Sequence, residues 1–125
     1  MLATIATILA VLVGAAVIVM GTVPFWAPRA AAGFGIPDTP VDDRTFRAWL
    51  TVKGMRDIGL GVLLLVVLIA GTPHLLGWVL LAAAVIPAGD AVIVLRSNGP
   101  RTTAYGVHAA TAAVMLAIST LLLIT

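Results

Sequence analysis

Lys53-Gly54-Met55-Arg56-Asp57-Ile58-Gly59-Leu60-Gly61 runs without a break into Val62-Leu63-Leu64-Leu65-Val66-Val67-Leu68-Ile69-Ala70. A helix that crosses a bilayer needs about 20 residues, and counting back that far from Gly71 draws Arg56 and Asp57 into the span. Ionisable groups at such depth are costly, so they face a bundle interior or an aqueous cavity and meet partners there. Asp90 and His108 are the comparable groups elsewhere in the chain.

The rest of the sequence agrees with a membrane setting. Of 125 residues, 62% are hydrophobic and 10% charged, which leaves too little polar surface to cover a water-soluble core. The chain reads as all-α, a single four-helix membrane domain over residues 1–125 with spans near 2–23, 45–70, 75–95 and 102–124. Leu2 to Val23 carries neither charge nor proline. It lacks the basic start of a signal peptide and exceeds the apolar length of one. Prolines at 24, 28, 37 and 40, with glycines at 33 and 35, then forbid a continuous helix. Phe25, Trp26 and Phe34 beside Arg29 suit an interfacial connector at headgroup level.

Asp42 and Asp43 offer an N-cap for a helix beginning near Arg44. On that helix Lys53 and Asp57 lie one turn apart on one face, with Arg56 beside them. Gly54, Gly59 and Gly61 admit another backbone or a ligand, and Leu64 is expected toward lipid. In the third span, Pro87 frees the Ala83 carbonyl and predicts a kink. Arg96 to Arg101 reads as a turn, and the fourth span carries Tyr105 near its entry and His108 within. Ala6, Ala10 and Gly14, and later Ala109, Ala113 and Ala117, form small-residue stripes that allow close helix approach.

All seven Lys and Arg residues fall in the connector, the start of the second span or the Arg96–Arg101 turn. The positive-inside rule therefore makes that side cytoplasmic and puts both termini outside a cell membrane crossed several times. Measured from the outer helix ends, Asp57, Asp90 and His108 lie at depths of about 21, 24 and 25 Å. They share one layer in the cytoplasmic half, which Arg56 joins.

Two carboxylates, an imidazole and a guanidinium in a low-dielectric layer can support acid–base chemistry, because burial and neighbouring charge move their pKa values toward the working range. Asp90 is the candidate base, Asp57 a second carboxylate, and His108 a proton relay or donor. Arg56 and Lys53 stabilise developing negative charge, while Tyr105, Gly54 and Gly61 complete a ligand-binding rim. The competing structural reading is an ion-pair staple in which Arg56 neutralises one of the carboxylates.

The net charge of +2 includes no basic block, which argues against nucleic acid. There is no cysteine, and one histidine with two aspartates on three helices lacks metal-ligand spacing. No cofactor motif is present. Self-association into a homo-oligomer is a further expectation alongside the lipid bilayer.

Lys53 to Gly61, the Ile86-Pro87-Ala88-Gly89-Asp90 segment and the Ala-rich last span together resemble the domain-of-unknown-function 4267 family of small integral membrane proteins. The resemblance runs the length of the chain and implies a four-helix membrane fold without supplying a reaction. The expected function is binding of a lipophilic small molecule in a polar pocket, with acid–base isomerisation or cyclisation as the accompanying chemistry. The alternatives are a small proton-coupled transporter, with Asp57 and Asp90 as carriers, and a structural subunit of a membrane complex.

Overall fold

The computed structural model describes residues Met1–Thr125. It is all-helical: α1 (Leu2–Trp26), a 3-10 helix (Pro28–Phe34), α2 (Arg44–Ala70), α3 (Pro73–Ala83), α4 (Val85–Arg96), α5 (Arg101–Thr103), a π-helical segment (Ala104–Ala109) and α6 (Ala110–Ile124). Three stretches are long and apolar enough to cross a membrane: Leu2–Trp26, Pro73–Arg96 and Arg101–Ile124. The chain is a multi-pass membrane protein. The expected count of four spans is not confirmed by length and composition. Lys53, Arg56 and Asp57 raise the polarity of α2, the third expected span divides at Ala84, and the fourth passes through the π segment.

Local chemistry accounts for the boundaries. Asp43 caps α2 by accepting from the Phe46 N–H at 2.7 Å, and Thr72 accepts from the Leu75 N–H at 3.1 Å at the start of α3. Pro87 cannot donate to Ala83, and the helix breaks next to that freed carbonyl, at Ala84. Pro24 is tolerated inside α1, which runs three residues past the expected boundary at Val23.

α1 and α2 lie antiparallel and very close. A Cβ on Gly21 would stand 2.6 Å from the Gly54 carbonyl oxygen, and one on Gly61 would stand 2.7 Å from that of Gly14. Glycine is required because backbone meets backbone at both places. Against this pair, α6 packs on α1 and α3, and α4 packs on the π segment. Ala6, Ala10, Leu64, Leu76, Leu80, Met115, Ile118 and Leu122 form the core near the chain termini. Leu64 is 1% exposed, so its expected lipid-facing position is corrected: it follows Gly61 by three residues and shares that inward face. The Ser119 hydroxyl donates to the Gly77 carbonyl at 2.8 Å and ties α6 to α3.

The opposite end carries the cations and is closed by the connector. Gly35 has φ 105°, and a side chain there would collide with Thr103 and Val94. A side chain at Gly99 would in turn collide with the Gly35 carbonyl. The connector from α1 to α2 is thereby seated against the turn that follows α4.

Candidate functional site

Beneath this connector, α2 presents Lys53 and Asp57, which form an ion pair of 2.7 Å across one helical turn. Lys53 Nζ also lies 5.5 Å from the centroid of the Phe34 ring, a cation–π contact. From the other side His108, 7% exposed, brings Nε2 to 2.8 Å from the Phe34 carbonyl oxygen. A carbonyl only accepts, so this nitrogen carries the hydrogen, and in the neutral ring Nδ1 keeps its lone pair. The two rings sit 4.4 Å apart, tilted by 48°. His108 belongs to the π segment, and such local widenings of a helix recur at functional sites.

Asp90, half-buried on α4, lies within electrostatic reach of His108, Lys53 and Asp57. It belongs to none of the chain's three ion pairs. Three of the four residues expected in one layer, Asp57, Asp90 and His108, thus come together around Asp90, joined by Lys53 from the expected rim. Arg56 is exposed and pairs with neither carboxylate; Lys53 takes Asp57, one of the two carboxylates open to Arg56 in the staple reading. Tyr105 is 58% exposed. Gly54 and Gly61 are buried under α1, whose backbone fills the space a ligand would need.

Phe34 was assigned from the sequence to the connector and not to the site. Its position arises from a contact between residues 74 apart, and the local signal is limited to an aromatic residue directly before a glycine. The connector is held from outside by Asp42, whose Oδ1 accepts from Arg29 at 2.9 Å and from Arg47 at 3.2 Å. Hydrogen bonding and charge from Arg29, assisted by Arg47, hold the Asp42 carboxyl below its ordinary pKa of 3.8. Arg47 also donates to the Val41 carbonyl at 2.7 Å.

Two surface depressions stand out. One, of about 490 Å³, lies between the connector and the Asn98-Gly99-Pro100 turn. The other, of about 340 Å³, is mainly apolar and runs along Val13, Gly106, Ala110 and Met115. Neither is lined by Lys53, Asp57, Asp90 or His108. No three His, Asp or Glu side chains gather in a metal-binding group. Chemically, the layer offers a carboxylate without an ion-pair partner, an imidazole with one committed nitrogen, and a cation shared between a carboxylate and an aromatic face.

The family model described as Domain of unknown function (DUF4267) matches residues 14–122. No curated protein and no solved structure matches the chain.

Proposed function

The chain belongs to the DUF4267 family, whose description carries no reaction, and we propose from its polar layer that it binds a lipophilic small molecule beneath the connector. In this reading α1, α2, α3 with α4, and α5 through α6 make four spans, with the cation-bearing end in the cytoplasm and both termini outside. Phe34 is the roof and Asp90 receives the polar end of the ligand. Lys53, oriented by Asp57, supplies positive charge, while Tyr105 stands at the rim. Where the ligand is converted, the chemistry is acid–base isomerisation or cyclisation: Asp90 takes a proton from one position of the ligand, His108 in its imidazolium form gives one from Nδ1 to another, and passage of the proton from Asp90 to Nδ1 restores both groups.

The observation that carries this reading is the seating of Phe34 on both His108 and Lys53, beside an Asp90 that has no ion-pair partner. A buried pair kept only for stability would leave neither carboxylate unpaired.

Native mass spectrometry of protein released gently from membranes tests it. Wild type should retain a small molecule, and Asp90→Asn should lose it while staying folded. Because Asp90 has no ion partner to strand, that substitution should change stability by less than about 1 kcal/mol. Breaking a true buried pair would cost about 3–5 kcal/mol. Equal retention by wild type and Asp90→Asn would remove Asp90 from the site.

A further inference from the structure

Arg56 is the charged side chain that the polar layer does not absorb. It is exposed, and no hydrogen bond or ion pair within the chain engages it. The adjacent carboxylate of Asp57 is taken by Lys53 at 2.7 Å. The charges that act on Asp90 are those of His108, Lys53 and Asp57, and Arg56 is not among them.

Its depth follows from the glycine contacts. Gly21 faces Gly54 and Gly14 faces Gly61, so Arg56 stands level with Val19 of α1. That is seven residues short of Trp26, the last residue of α1, or about 10 Å inside the end of an apolar helix. Trp49, Val52, Arg56, Gly59, Leu63 and Val66 recur at three- and four-residue intervals and form one outward stripe. Trp49 is 67% exposed and Leu63 50% exposed, and a side chain at Gly59 would meet nothing within 4 Å. Helical side chains lean toward the helix N-terminus, which here is the cation-bearing end. An arginine with that tilt reaches the headgroup level with its guanidinium while its stem stays in hydrocarbon.

We propose that Arg56, with Trp49 two turns above it on the outward face of α2, holds the phosphate of an anionic phospholipid at the cation-bearing end of the bundle. Charge complementarity selects the occupant. A second copy of this chain packed on the same face would bring Arg56 no acidic partner, since Trp49, Val52, Gly59, Leu63 and Val66 carry none. A planar guanidinium matches two phosphate oxygens at once, and the indole suits the headgroup boundary beside it.

The test is native mass spectrometry of the whole chain released from bilayers of phosphatidylcholine and phosphatidylglycerol in equal parts. Wild type should keep phosphatidylglycerol in preference to phosphatidylcholine. Arg56→Gln should lower that retention roughly fivefold, the weight of one basic side chain at an anionic surface, and Arg56→Lys, which keeps the charge, should fall between. Millimolar inorganic phosphate should leave the bound lipid in place. Equal retention by wild type and Arg56→Gln overturns the assignment. So does displacement of the lipid by free phosphate, or a dimer that Arg56→Gln dissociates.

Discussion

Phe34 joins residues that approach it from two directions: its carbonyl accepts from His108, and its ring lies against that imidazole and near the Lys53 ammonium. Phe34→Ala keeps the hydrogen bond and removes both ring contacts, so it should cost about 2 kcal/mol. His108→Ala strands the carbonyl instead, at about 1–3 kcal/mol. Thermal unfolding in detergent measures both, and both variants should open the connector to protease. Asp42 adds a pH dependence with a definite sign. Its folded pKa lies below 3.8, so its contribution is complete above that value and is lost as pH falls through the lower, folded one. Protease sensitivity of the connector should therefore rise below about pH 4, and Asp42→Asn should show that sensitivity already at neutral pH. An Asp42→Asn connector as resistant as wild type at pH 7 would mean that the arginine pairs do not hold it.

At the scale of elements, the α1–α2 pair makes the firmest commitment, because backbone touches backbone at two levels. Gly61→Leu should overpack this contact and lower stability by about 1–3 kcal/mol. Leu63→Ala, at a position 50% exposed on the same helix, should be nearly neutral in detergent unfolding. Equal tolerance of both would mean that the two helices are not in contact. How much of this was legible differs by element. Helix positions followed from apolar runs, prolines and caps, and the Lys53–Asp57 pair from its one-turn spacing. The inward face of Leu64 could have been read from Gly61 once the glycine was known to meet a helix and not lipid. The π segment around His108 leaves no mark in the sequence, since Ala-Tyr-Gly-Val-His-Ala fits an ordinary helix equally well. The seat of Phe34 was illegible for a different reason: it depends on chain closure over most of the sequence.

For the whole molecule, the test is one of sidedness. The connector meets the Asn98-Gly99-Pro100 turn at the end that gathers all seven Lys and Arg residues, while the apolar core lies toward the chain termini. A tag at Asn98 should therefore be cytoplasmic, and a reporter fused after Thr125 should read non-cytoplasmic. A cytoplasmic C-terminus would invert the side assigned to the polar layer and to Arg56.

The span of the connector also bears on the order of biosynthesis. Trp26 and Arg44 begin from helices already in contact at Gly21 and Gly54, and a turn of about 2–8 residues would have joined them. The longer segment is what crosses to the far side of the bundle. Its landing points on that side, Val94, Gly99 and His108, are synthesised after the α1–α2 hairpin is complete. The donor to the Phe34 carbonyl is thus made 74 residues after it, and this seat of the connector can close only after His108 has been synthesised.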